Sequence, residues 1–158
     1  MTDLVRLIAA MTLDRVIGHG DGMPWNVPDE YQHFLDTVRG GAVIMGRRSF
    51  EIFGAVLSDV HPIVLTRQDG GPQGAQTAAD LETALRAARQ LDLAPWIAGG
   101  ASVYEQALAL CDEMHLSIVP GRYDGDRWFP DWEHAAWHLA EEQPRPGYLF
   151  RRYVRRAR

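Results

Sequence analysis

Glu30 is the residue of this chain whose type and setting point most directly to chemistry. Val27, Glu30, Phe34 and Val38 recur at intervals of three or four residues, which puts them on one face of a short helix. A carboxylate on an inward apolar face is costly unless matching donors meet it. A flat, donor-rich heterocycle supplies such donors. The alternative is a helix edge from which Glu30 reaches solvent. Just before this helix, Asp14 to Gly22, with its glycines, predicts a mobile loop without regular structure, and the chain then turns at Pro24 into an aromatic donor, Trp25.

A second set of residues repeats at the ends of apolar runs. AVIM (Ala42 to Met45) is followed by Gly46-Arg47-Arg48, PIVLT (Pro62 to Thr66) by Arg67, and PWIA (Pro95 to Ala98) by Gly99-Gly100. In sheets with parallel strands, ligands sit where strand gives way to helix. Bare backbone followed by helix amides seats a pyrophosphate, and arginines suit a further phosphate monoester. A dinucleotide with an extra phosphate accounts for both. GxGxxG is absent, which disfavours the usual doubly wound dinucleotide fold. Nucleophilic catalysis finds little support, because no serine lies in a GxSxG elbow and Cys111 reads as buried and inert. The six histidines form no tight metal-binding pattern; His134 and His138 are four apart, but on an expected strand entry.

The elements that position these groups follow from the apolar pattern. Val5 to Met11, Ala42 to Met45, Pro62 to Thr66, Pro95 to Ala98 and Met114 to Val119 predict buried strands. Helices are predicted over Val27 to Val38, Arg47 to Phe53, Ala78 to Gln90 and Ser102 to Leu110, the third with Leu81, Leu85 and Ala88 inward. A short extended piece crosses Gln76-Thr77 after a turn at Asp69-Gly70-Gly71-Pro72. Pro120 to Trp132 reads as a long loop, and Ala135 to Glu141 pairs with Tyr148 to Val154 as closing antiparallel strands. The fold class is therefore α/β, a mainly parallel mixed sheet with helices on both faces and an antiparallel C-terminal strand, in one domain over residues 1–158.

Composition narrows the class of function. The 158 residues are 46% hydrophobic and 23% charged, which suits a compact soluble protein. No stretch is apolar enough to span a membrane, no basic leader precedes an apolar run, and one cysteine permits no internal disulfide. A cytoplasmic protein is expected. All 16 basic residues are arginine, and five of them lie in the last eight residues. The first 150 residues carry a net charge of −10, so nucleic acid is not an expected partner. The terminal arginines read as the solvated side of an ordinary strand.

Taken together, LIAAMTLDRVIG (Leu7 to Gly18), MPWNVPDE (Met23 to Glu30), VIMGRRSFE (Val43 to Glu51), IVLTR (Ile63 to Arg67), IAGGASVYE (Ile97 to Glu105) and DGDRWFPD (Asp124 to Asp131) carry a specific resemblance. The chain resembles dihydrofolate reductase along nearly its whole length. The resemblance implies hydride transfer from NADPH to C6 of a 7,8-dihydropterin with protonation of N5, in a monomer with no metal. It implies that Glu30 grips the pterin, Trp25 holds an ordered water, Met23 belongs to the closing loop, and Ser117 is hydrogen-bonded towards the carboxylate. Ile8, Ala9, Ala10, Val27, Tyr31, Phe34, Phe53, Leu57, Val60, Ile97 and Tyr104 are the implied substrate wall. Ala10, Ile17, Gly18, Gly46, Arg47, Arg48, Ser49, Thr66, Arg67, Gly99, Gly100, Ala101, Ser102, Val103 and Tyr104 are the implied NADPH site, with a cis bond joining the two glycines.

The sequence also departs from that family. Folate-binding members carry an L-P-x-R run whose arginine forks to the glutamate tail of the substrate; here the run is Leu57-Ser58-Asp59-Val60. Leu35 and Ala55 are likewise neutral where some members are basic. A bidentate arginine–carboxylate contact is worth roughly 1.5–3 kcal/mol. Its loss leaves two substrates in view, dihydrofolate and a dihydropterin with another side chain, such as dihydromethanopterin. A reductase of riboflavin synthesis and an inactive nucleotide-binding module are more distant alternatives.

Overall fold

In the computed structural model, residues 4–67, 71–72 and 74–157 are described. Asp69 and Gly70 of the expected turn, and Arg158 of the terminal arginines, lie outside the described residues. The first half of the chain runs β1 (Arg6–Thr12), β2 (Val16–Gly18), α1 (Pro28–Val38), β3 (Ala42–Gly46), α2 (Arg47–Phe53), β4 (His61–Leu65) and β5 (Gln76–Ala78). The second half runs α3 (Leu81–Gln90), β6 (Pro95–Ile97), α4 (Ala101–Ala107), β7 (Glu113–Val119), β8 (Arg127–Trp128), β9 (Trp137–Arg145) and β10 (Tyr148–Arg155). Eight of the strands form one sheet in the order β5-β4-β3-β6-β1-β7-β10-β9. Every pairing from β5 to β7 is parallel, and β10 is antiparallel to both of its neighbours, so it is the one reversed strand of this sheet.

Alternation along the central strands explains why both faces are covered. Leu7, Ala9 and Met11 of β1, with Ala42 and Ile44 of β3, point to one side and meet Leu81, Ala84, Leu85 and Ala88 of α3 and Val103, Tyr104 and Ala107 of α4. Their neighbours Ile8, Val43, Met45 and Trp96 point to the other side, where Val38 and Phe34 of α1 and Phe50 of α2 cover them. Burying a side chain the size of Ile44 completely is worth about 2 kcal/mol, and strands of this kind read as continuous apolar runs for that reason.

Helix boundaries follow local chemistry. Pro28 opens α1, where its missing N–H costs nothing. The predicted helix from Ala78 starts three residues later, because Asp80 caps Thr83 N at 2.8 Å and Ala78 belongs to β5. The predicted helix to Leu110 ends at Ala107. At the entrance to β3, Gly41 has no room for a side chain: an added Cβ would lie 2.8 Å from the carbonyl oxygen of Ala94. That oxygen is fixed by accepting from Ala42 N at 2.9 Å. Gly41→Ala should therefore destabilise the protein by about 1–3 kcal/mol, measured as a lower urea midpoint with unchanged slope. An unchanged midpoint would mean that the β3–β6 entrance can shift freely.

Two loop expectations are corrected. The segment from Asp14 to Gly22 contains β2, and the long loop from Pro120 contains β8, with which β2 pairs antiparallel. Burial of Val16 and the bond from its N–H to the Thr12 hydroxyl at 3.0 Å hold β2 in place. The closing strands are longer than predicted, and Ala135 lies in a single helical turn before β9. The terminal arginines are largely engaged. Arg151 pairs with Glu142 at 2.8 Å, Arg152 with Glu141 at 3.4 Å, and Arg155 stacks over Trp137 while donating to the Cys111 and Leu108 carbonyls.

Candidate active site

A cavity of about 760 Å³ opens at the carboxyl ends of β1, β3, β4 and β6. Its floor is Ile8, Ala9 and Ala10 of β1, Met45 and Gly46 of β3, Leu65 of β4, and Ala98 just beyond β6. Two helices face each other across one end, α1 with Glu30, Tyr31 and Phe34 and α2 with Ile52 and Phe53. The other end carries Arg47, Arg48 and Ser49 at the start of α2, Thr66 and Arg67 after β4, and the run from Gly99 to Tyr104. One pocket thus joins an acidic, aromatic end to a basic, glycine-rich one.

Glu30 is 5% exposed, which excludes the solvent-edge alternative. Burial pushes its carboxyl up to about 7, and a hydrogen bond from the buried Ser117 hydroxyl opposes that rise. The carboxyl of the free protein is thus poised between its neutral and charged forms near neutral pH. Tyr104 is buried beside the same space and donates its hydroxyl to Ile8 O at 2.7 Å. Burial and the nearby Glu30 hold the phenol neutral by raising its pKa.

At the basic end the backbone itself forms the wall. Gly46 N donates to Gly99 O at 2.9 Å, which ties the two strand ends together. The Gly99–Gly100 peptide bond is cis. Gly99 has φ +111, and a Cβ there would stand 3.2 Å from the Tyr104 hydroxyl oxygen; at Gly100 it would stand 3.2 Å from Ser49 Oγ. Side chains at these positions would strain the backbone or fill the trough. Bare amides beside three arginines suit a diphosphate with an additional phosphate, so the residues present fit a phosphorylated dinucleotide.

The glycine loop crosses the cavity mouth. Ile17, Gly18, Gly22 and Met23 lie on its wall. His19 and Gly22 bond each other's backbones at 2.8 and 3.2 Å, and Gly20 N donates to the Asp126 carboxylate at 2.9 Å. Arg127 also lines the cavity and donates to Gly20 O at 3.1 Å.

Six expected residues stand behind the wall rather than on it. Ile97 points to the α3–α4 side by strand alternation, and its neighbour Ala98 takes the cavity position. Leu57 and Val60 are half-buried and pack against the core of Ile8, Val38, Val43, Met45 and Trp96 on the α1–α2 side. Trp25 and Val27 pack with Val16 and Val119, and the buried Trp25 indole N–H finds no partner among the described residues. Ser117 touches Glu30 from beneath, on β7. Lining residues not anticipated include Met45, Ile52, Leu65, Asp80, Gln106 and Arg127. Helical spacing offered a signal for two of them, since Ile52 follows Arg48, and Gln106 follows Ser102, by four residues. Arg127 had none, because its position depends on the unforeseen β2–β8 pair. Among the described residues no cluster of His, Cys, Asp or Glu could hold a metal, and no helix is long and apolar enough to cross a membrane.

Comparison with known proteins agrees with this geometry. The family model described as dihydrofolate reductase matches residues 4–151. Dihydrofolate reductase HdrB of Haloferax volcanii is 33% identical over 162 residues, covering 95% of this chain and 82% of the relative. Dihydrofolate reductase of Neisseria meningitidis serogroup A is 35% identical over 159 residues, covering 96% of this chain and 98% of the relative. Among solved structures, dihydrofolate reductase from Enterococcus faecalis complexed with NADP(H) and RAB-propyl superposes with a TM-score of 0.91. It covers 98% of both chains at 22% identity, a likeness of fold.

Proposed function

The chain belongs to the dihydrofolate reductase family, and from that premise we propose that it reduces dihydrofolate to tetrahydrofolate with NADPH, using Glu30 to hold the pterin. The observation that carries this reading is the buried Glu30 carboxyl, set at the aromatic end of a cavity whose other end is basic. The nicotinamide, when bound, supplies the hydride that goes to pterin C6. Glu30 orients the ring by accepting from its 2-amino group and N3–H, with Ser117 fixing the carboxyl from below. Met23 and the glycine loop limit solvent at the reacting face while admitting the water that brings a proton to N5. Arg47, Arg48 and Arg67 meet the phosphates and favour NADPH over NADH. The same reading takes the protein as a cytoplasmic monomer, and sedimentation at the mass of one chain is the expected result.

A second reading concerns the substrate's side chain. The arginines on the wall are 47, 48, 67 and 127; the first two open α2 at the basic end, and none stands at the aromatic end with Tyr31, Phe34 and Phe53. Val60 is half-buried against the α1–α2 side core and, as a valine, offers no cation. This is the one observation on the side of a dihydropterin lacking a glutamate tail, such as dihydromethanopterin, and the family match outweighs it in favour of dihydrofolate. Steady-state NADPH oxidation with dihydrofolate and dihydromethanopterin, compared as kcat/KM, separates the two. Turnover of dihydrofolate at a comparable or higher kcat/KM is expected. A preference of about a hundredfold for dihydromethanopterin, or roughly 2.7 kcal/mol, would move the assignment to the second substrate.

A further inference from the structure

We propose that His33 is a positioning residue for Glu30, and that α1 seats the carboxyl at the cavity only while the His33 ring is neutral. The inference deepens the pterin-binding reading above and rests on it. His33 follows Glu30 by three residues, so the two side chains leave α1 on the same face, one turn apart. Glu30 meets the Ser117 hydroxyl of β7, and His33 meets Phe150 of β10 edge-on, with ring centroids 5.1 Å apart. Ser117 and Phe150 are direct cross-strand partners. Glu30 and His33 therefore stand on adjacent points of the sheet. The His33–Phe150 contact sets how closely the helix, and with it Glu30, approaches β7.

The slot that holds this ring suits a neutral imidazole and not a cation. The Tyr148 ring lies 5.9 Å away, and the buried His33 Nε2 has no hydrogen-bond partner among the described residues. A proton added there would be buried without an acceptor. His115 of β7 packs on the same Phe150 at 5.8 Å but differs in this respect, because its Nε2 lies 3.1 Å from Glu113 Oε1.

The charges around the slot point the same way. Burial opposes a charge on His33, and Arg145 of β9 and His115 add to that, so its pKa lies below that of an ordinary histidine. Asp36 of α1 favours the cation, but its carboxylate is exposed and already accepts from Gln32 and Arg39. Glu113 is shared by His115, Arg6 and Arg152, and Glu141 pairs with Arg152. Tyr148 stays neutral, since burial raises its phenol. Glu30 is engaged by Ser117. The neutral seat is thus complete above about pH 6.5, the value of an imidazole in water, and is lost as pH falls below it. The proton is then accommodated by lifting α1 from β10, which takes Glu30 away from Ser117.

The test compares wild type with His33→Phe, which fills the slot with a ring that cannot charge. Dihydrofolate is titrated by tryptophan fluorescence between about pH 8 and pH 5, each protein being scaled to its own affinity at the alkaline end. Wild type should lose about three- to tenfold more affinity than the variant at the acid end, because Glu30 and His115 titrate in both and cancel. In proton NMR of the ligand-free wild type, protection of the α1 amides should fall with the same midpoint as the His33 ring titrates. Dihydrofolate should move that midpoint to lower pH, since it binds the neutral form. Equal losses in the two proteins, α1 protection that ignores the His33 titration, or a midpoint unmoved by bound dihydrofolate would overturn the proposal. If His33→Phe does not fold, the wild-type NMR titration decides alone. Wild type that binds dihydrofolate with the same pH dependence as the variant would defeat this inference alone. Wild type that binds no dihydrofolate at any pH would defeat the functional reading beneath it.

Discussion

Glu30→Gln should lower kcat/KM for dihydropterin reduction on the order of a hundredfold or more at pH 7 to 8, while NADPH affinity stays within about twofold. The amide keeps the shape of the side chain and its place in the cavity, but it differs in two respects. It cannot carry the negative charge that favours a protonated pterin, and its NH₂ group cannot accept from the ring. Hydrogen bonds to a charged group are worth about 1.5–3 kcal/mol each, so a carboxylate gripping two ring donors carries enough energy for this loss. The pH profile adds a second check. Burial sets the Glu30 carboxyl near 7, so wild-type kcat/KM should bend near that pH and fall above it, as the proton needed at N5 becomes scarcer. The variant should lose that bend. Hydride transfer at the wild-type rate in Glu30→Gln, seen in single turnovers, would remove Glu30 from the reaction.

The fold was legible where burial on two faces leaves a plain mark. AVIM and IVL read as strands because nothing polar survives between two helical layers, and Ile44 and Ile63 are fully buried. The cofactor end of the site was legible for a related reason. Gly99 is required by its φ of +111 and by the Tyr104 hydroxyl oxygen 3.2 Å from where a Cβ would stand, a constraint on the backbone that appears directly as residue type. The β2–β8 ribbon was not legible, because three residues pairing with two carry no periodicity of their own. Its partners are about 110 residues apart, and only the docking of the loop over β1 brings them together. Side-chain direction was the other gap. Ile97 and Ala98 are adjacent, and without the exact end of β6 the chain pattern does not say which one faces the cavity. Val60 shows the converse: its lack of charge was visible, but its packing against the core could only be seen once the fold was known.

The same substitution that removes activity should stabilise the protein in alkali. Burial raises the Glu30 pKa from an ordinary 4.5 to about 7, so the folded protein favours the protonated carboxyl. The stability this gives is fully present below about pH 4.5 and is lost as pH rises through about 7. A shift of that size corresponds to about 3 kcal/mol between the acid and alkaline limits. Gln remains neutral throughout and escapes the loss. Glu30→Gln and wild type should therefore differ little at pH 4 to 5, while the variant gains up to about 3 kcal/mol by pH 8 to 9. Burial lowers the pKa values of His33 and His115, so these neutral imidazoles cost stability on the acid side, as pH falls below about 6.5. Both proteins carry them, so the difference between the two unfolding curves isolates Glu30. Urea unfolding of the ligand-free proteins at pH 5, 7 and 9 makes the comparison. A constant difference across that range would mean that Glu30 ionises in the folded protein as it does in water, and that the pocket does not poise it for catalysis. A difference that grows with pH, alongside lost turnover, would show the site holding its carboxyl at a cost to the fold.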